Sequence, residues 1–113
     1  MDFRNINLNE RIKEFNHLRK KYPDKIPIIV NRFKNSDIEE VKKKKYLVNK
    51  ELNLSQFMMV FRKNLTVDQT TAIFLTINDE MVPNNIVLSS IYASHKNEDG
   101  FLYIDYSTEN TFG

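Results

Sequence analysis

Leu8, Ile12, Phe15 and Leu18 recur at spacings of four, three and three through LNERIKEFNHLRKK, with polar and charged residues between them. One apolar stripe at this period predicts a helix over residues 8–21, with Asn9 as a candidate cap. The residues ahead, DFRNIN, read as a short helix or an ordered arm. Pro23 stops the helix, and the period changes from about 3.6 to 2. In IPIIVNRF, residues 26–33, Ile26, Ile28 and Val30 alternate with Pro27 and Ile29. Both faces of this strand are apolar, so both should be covered. Pro27 has no N–H to give to a ladder, which favours an edge or terminal position.

A charged loop, KNSDIEEV, leads to a second strand in KKKKYLV, residues 42–48. NLSQFMMVFRKNL, residues 53–65, is a second amphipathic helix, with Leu54, Phe57, Val60 and Phe61 on its buried side and a capping box from Asn53 and Gln56. AIFLTIND gives a third strand, SSIYASHK a short helix and FLYIDYS a last strand of strong alternation. Strand–strand–helix–strand–strand is the succession of a β-grasp sheet wrapped on one helix, an α+β domain. The N-terminal helical segment is an extension of that plan. No repeat, low-complexity tract or linker marks an internal boundary.

Composition narrows the function classes. In 113 residues, 41% apolar and 28% charged, there is no cysteine, so disulfides and thiol catalysis by this chain are excluded. The longest apolar runs, such as IPIIV, are far short of a membrane span, and the polar start, MDFRNINLNER, lacks the apolar stretch of a secretory signal. A cytoplasmic protein is expected. The net charge of +2 conceals a split: residues 1–63 hold 16 of the 17 Lys and Arg against 8 of the 15 acids, whereas the remainder holds Lys96 against 7 acids. A basic face that meets something acidic is implied: nucleic acid, an anionic membrane, acidic tails such as those of tubulin, or acidic peptides. No nucleic-acid-binding motif accompanies it.

Catalysis finds no support. Two glycines cannot build a phosphate-cradling loop. His17 and His95 stand apart, without the neighbours of a triad or the spacing of metal ligands, and are read as solvated. No enzyme activity, metal or cofactor is expected. The run Lys42–Lys45 leading into Tyr46–Leu47–Val48 has two readings. Lysines blunt exposed sheet edges against aggregation; alternatively, this edge accepts an extended peptide as an added strand, and the lysines favour acidic or phosphorylated flanks.

Average usage of about 7% would give this chain roughly eight glycines, yet it has only Gly100 and Gly113. Gly100, in NEDG, suits a turn; Gly113, last in YSTENTFG, does not. RKKYPDKIPIIV, KKKYLV, the QF in the following helix, AIF-x-x-(I/V)-N and EDGFLY-x-x-YS-x-EN-x-FG occur in this order. Over residues 8–113 they resemble the autophagy-related ubiquitin-like modifiers, the family of the microtubule-associated-protein light chain and the GABA-receptor-associated protein. The resemblance implies a ubiquitin-like β-grasp, a four-stranded mixed sheet on one main helix, divided as an N-terminal helical extension (1–22), a core (23–107) and a C-terminal conjugation tail (108–113). It also gives Gly113 a role. In this family a terminal glycine is activated with ATP by a ubiquitin-activating-type enzyme, passed to conjugating enzymes and joined to phosphatidylethanolamine; a cysteine protease releases it. Ending at Gly113, the chain reads as ready for conjugation. A cytoplasmic monomer would thereby become a protein of the autophagosomal membrane.

The same resemblance implies docking of cargo receptors bearing aromatic-x-x-aliphatic motifs beside the second strand. An aromatic pocket would involve Glu14, Leu18, Pro27, Ile29, Lys45, Leu47 and Phe101. An aliphatic pocket would involve Tyr46, Val48, Leu52, Phe57, Val60 and Phe61, though ordinary core is the competing assignment for Leu52, Phe57 and Phe61. Lys43 and Lys45 would meet an acidic flank. Three positions depart from the family pattern. Asn49 replaces a usual proline, which should loosen the loop to Leu52. Asn64 replaces a commonly basic residue. Thr76 stands where an apolar or aromatic residue is frequent on a face used for conjugation enzymes and membrane effects. The alternative function is an unconjugated adaptor that binds tubulin or trafficking proteins through the basic face and the groove.

Overall fold

The computed structural model describes residues 2–108. A 3-10 turn, Phe3–Asn5, precedes helix α1 (Leu8–Lys21), strands β1 (Lys25–Arg32) and β2 (Lys45–Asn49), helix α2 (Leu54–Arg62), strands β3 (Ile73–Ile77) and β4 (Glu80–Met81), helix α3 (Leu88–His95) and strand β5 (Leu102–Thr108). The strands form one sheet in the order β2-β1-β5-β3-β4. β1 and β5 run parallel, and every other pair is antiparallel. The sheet is mixed, as the β-grasp reading requires, with a two-residue fifth strand in addition to the four expected.

That fifth strand comes from a turn. Asn78 and Asp79 have φ of 52° and 65°, and Ile77 faces Glu80 across them. Two left-handed residues between paired strands form a tight hairpin turn that Asn and Asp tolerate. The sequence reading ran its third strand through this turn. Thr108, assigned from sequence to the tail, is a ladder residue paired with Ile73; the rest of that tail, including Gly113, lies outside the described residues.

Alternation along β1 divides the core into two layers. Ile26, Ile28 and Val30 join Tyr46, Val48, Leu54, Phe57, Phe61, Leu88, Ile91, Leu102, Ile104 and Tyr106 beneath α2 and α3. Ile29 faces the other way, into a smaller cluster with Phe3, Phe101 and Tyr103 on which Ile6, Phe15 and Leu18 pack. Burying each such side chain stabilises the fold by roughly 1.5–3 kcal/mol. Pro27 is in an interior strand, but β5 pairs only from Ile28 onward. Its missing N–H therefore falls where β1 has β2 alone for a neighbour.

The helix ends follow local chemistry. Asn7, rather than Asn9, caps α1: its side chain accepts from the Asn9 N–H at 2.8 Å. Asn53 and Gln56 form the expected capping box on α2, each side chain bonding the other's backbone at 2.8 and 2.9 Å. α2 buries Leu54, Phe57 and Phe61, and Met58 packs half-buried against the same core. At about 100° per residue, Val60 falls more than a quarter turn from the centre of that stripe. It is 40% exposed, contrary to its predicted burial.

A buried polar knot fixes α1 to the sheet. The Asp99 carboxylate is inaccessible and takes hydrogen bonds from Arg11 Nη1 at 2.9 Å, the Phe101 N–H at 2.8 Å and the Tyr103 hydroxyl. Arg11 Nε donates to the Ile6 carbonyl at 3.0 Å. Beside this knot Gly100 turns with φ of +97°, and a Cβ there would stand 2.4 Å from the Phe15 ring. Left-handed strain and overpacking add at this position. Gly100→Ala is expected to lower unfolding free energy by roughly 2–4 kcal/mol, read as a shifted denaturant midpoint.

Candidate functional site

Strand β2 is one edge of the sheet. A cleft of about 370 Å³ opens between it and α1. Because side chains alternate along β2, Lys45 and Leu47 face α1 while Tyr46 and Val48 enter the main core. α1 contributes Glu14 and Leu18 one turn apart, and Phe101 closes the inner end. Five of the residues assigned from sequence to an aromatic pocket therefore line one cavity. Pro27 and Ile29 do not. They are buried beneath α1, Pro27 opposite Leu47 in the ladder and Ile29 against Phe101, so they form the layer under the cleft. Ile28, Lys43 and Tyr46 line it instead; Ile28 was not foreseen, since its side chain belongs to the opposite core.

The aliphatic set is also brought together, around the far face of β2. The Tyr46 ring lies edge-on to Phe57 at 5.5 Å and to Phe61 at 6.2 Å, and Phe57 stacks on Phe61. These residues and Val48 are core side chains. Phe57 and Phe61 are fully buried, so the structure places them in the core beneath that face. Of the aliphatic set, half-buried Leu52 and exposed Val60 present the most apolar surface.

The lysine run is not uniformly free. Lys44 Nζ is 3.7 Å from Glu40, and Lys45 Nζ is 2.6 Å from Glu14. The Lys43 ammonium lies 4.9 Å above the Tyr46 ring. Burial raises the pKa of the Tyr46 hydroxyl, partly offset by its bond from Asn64 Nδ2 at 2.8 Å. Asn64 thus ties the α2 end to β2 through a neutral hydrogen bond. Asn49 does not loosen its loop: its side chain accepts from the Glu51 N–H at 2.8 Å, and the Leu52 N–H reaches its carbonyl at 3.2 Å. An Asx turn supplies the bend.

On the α1 side of the sheet, beyond the cleft, the surface is polar. Asn31, Asp105 and Thr76 lie in one row across β1, β5 and β3. Thr76 is 2% exposed, so it offers little surface to a partner. Its Oγ1 finds no hydrogen-bond partner among the described residues. Asp105 lines a cavity of about 230 Å³ with Asp2, Arg4 and Asp79. Burial pushes its carboxyl up to about 6; Arg4 opposes the shift, and the Asp79 and Asp2 carboxylates add to it. His17 is exposed on α1, and His95 is half-buried with Nδ1 3.2 Å from the Ile91 carbonyl. Among the described residues, no three His, Asp or Glu side chains gather as metal ligands would, and no helix is long and apolar enough to cross a membrane.

Sheet order, helix placement and the cleft at the β2 edge define a ubiquitin-like β-grasp protein with an added N-terminal helix. Residues 10–113 match the family described as autophagy protein Atg8 ubiquitin like. The chain is 45% identical over 106 residues to autophagy-related protein 8d of Arabidopsis thaliana, covering 94% of this chain and 88% of that protein. It is equally identical over 108 residues to autophagy-related protein 8 of Schizosaccharomyces pombe, covering 96% and 89%. The crystal structure of Trypanosoma brucei ATG8 superposes with a TM-score of 0.88 at 38% identity, over 95% of this chain and 92% of that one. This chain belongs to the Atg8 family of autophagy ubiquitin-like proteins.

Asp105 gives a pH signature. Folded, it holds its proton to about pH 6, against an ordinary value of 3.8. The native state therefore binds more protons within that window, and this group's contribution to stability falls as pH rises through it. Asp105→Asn is expected to stabilise the protein by about 1 kcal/mol at pH 7, allowing for solvent screening, and to change little at pH 4. Denaturant titrations of both proteins at the two pH values provide the check.

Proposed function

We propose that this protein is a ubiquitin-like modifier, conjugated through Gly113 to phosphatidylethanolamine, that recruits cargo receptors to autophagosomal membranes. Family membership supports the conjugation. The partners are then an activating enzyme, conjugating enzymes that carry the chain as a thioester, and a cysteine protease that reverses the bond. A glycine carboxylate suits such transfers because no Cβ hinders approach to it. One phosphatidylethanolamine brings two acyl chains in a single bond, and two chains hold a protein at a bilayer where one holds it only marginally.

The observation that carries the docking half is the cleft beside an open sheet edge. A receptor segment adds as a strand along Lys45–Asn49, taking its affinity from main-chain hydrogen bonds. Its aromatic side chain enters between Leu18, Leu47 and Phe101. Its aliphatic residue, placed three positions on, meets Leu52 and Val60. Lys43 faces the acidic residues ahead of the aromatic one. The uneven charge of the chain, with 16 of its 17 basic residues in residues 1–63, favours a second reading, an unconjugated adaptor on acidic partners such as tubulin.

Reconstitution with ATP, the cognate enzymes and phosphatidylethanolamine liposomes separates the two. Intact-mass measurement should show the gain of one phospholipid on the wild type and none on Gly113→Ala. No gain with enzymes known to be active would remove the modifier reading, and tubulin binding that survives Gly113→Ala would favour the adaptor. For the cleft, Leu47→Asp should weaken an aromatic-x-x-aliphatic peptide by about tenfold or more in fluorescence anisotropy, since it places a charge where the aromatic ring must pack.

A further inference from the structure

Lys45 stands where an acidic residue ahead of a docked motif would look for a cation, yet its ammonium is already engaged twice. Glu14 Oε1 lies 2.6 Å away, and the Phe3 ring lies 4.5 Å below it. Phe3 is itself held edge-on to Phe101 with centroids 5.1 Å apart. The lysine is thus drawn inward, across the mouth of the cleft, by a carboxylate from α1 and an aromatic face from the N-terminal turn. Lys43, two residues earlier on the approach to β2, lies over the Tyr46 ring and forms no ion pair among the described residues.

We infer that Glu14 is a specificity-determining residue of the cleft: by occupying Lys45 it restrains the preference for acidic peptide flanks. The inference rests on the peptide-docking reading above. An ammonium has three N–H donors and can serve two carboxylates, but the second must then sit beside Glu14, and like charges at that range repel. An acidic flank therefore either shares Lys45 at a cost or turns to Lys43. Neutral flanks incur no such cost. Both partners are well exposed, with Lys45 at 50% and Glu14 at 36%, so the effect is a few-fold rather than orders of magnitude.

The test uses two peptides with one aromatic-x-x-aliphatic core, preceded by either three aspartates or three serines. The quantity read is the ratio of their Kd values at physiological ionic strength. Glu14→Gln should raise the preference for the aspartate peptide by about three- to fivefold. Glu10→Gln removes the same charge from the same helix at an exposed position and should move the ratio by less than about twofold. In a Lys45→Met background, the gain from Glu14→Gln should vanish, as coupling through Lys45 demands. An unchanged ratio in Glu14→Gln, or a gain that persists without Lys45, overturns the inference while leaving peptide docking intact. Failure of the wild type to bind either peptide overturns the docking reading and this inference with it.

Discussion

The site depends on the inaccessible carboxylate of Asp99. Arg11 reaches it from α1, the Phe101 N–H from its own turn and Tyr103 from β5, so three parts of the chain meet at one charge. A buried ion of this kind is tolerable only when its lone pairs are filled and its charge is matched. Losing Arg11 alone would leave an uncompensated buried carboxylate, at a cost of about 3–5 kcal/mol. Arg11 also ties to the Ile6 carbonyl, so the N-terminal turn is positioned by the same knot. Glu14 and Leu18, one and two turns along α1, form the cleft's wall because Arg11 is anchored. The aromatic cluster of Phe3, Phe15 and Phe101 completes the hold through edge-on contacts.

Much of this architecture is legible in the periodicities. The 8–21 stripe, the two-faced alternation of IPIIV and the Asn53–Gln56 pair each have a single local solution, and the chain adopts it. Local patterns were less informative where geometry depends on a partner. Val60 lies between two core phenylalanines in sequence, yet turns outward because the helix offers its stripe to Met58 instead. Asn78–Asp79 resembles the end of a strand until both residues take left-handed angles. Asn7 outcompetes Asn9 as a cap because only its side chain precedes the first free N–H groups.

The site was legible in the same uneven way. Lys45, Leu47, Leu18 and Phe101, distant in sequence, were assigned together by resemblance, and the fold gathers them at one cavity. Composition could not separate a wall from a floor. Pro27 and Ile29 are apolar for the same reason as any buried residue, and only the placement of α1 decides that they lie beneath the cleft. Phe57 and Phe61 likewise serve the core first. The Asp99 knot was invisible, because nothing in NEDGFLY says that Arg11, 88 positions away, supplies the counter-charge.

The hairpin turn at Asn78–Asp79 has a consequence for stoichiometry. It leaves β4 only two residues long, paired with β3 at Thr76 and Ile77, so β2 is the longer of the two outer strands of the described sheet. On the docking reading proposed above, a receptor segment adds along β2, so each copy takes one motif by this route. A receptor carrying several motifs would then gain avidity by engaging several copies held close on one membrane, where effective concentration rather than single-site affinity governs retention. Were the chain conjugated as proposed, surface density of the conjugate would be the variable that decides which cargo stays bound.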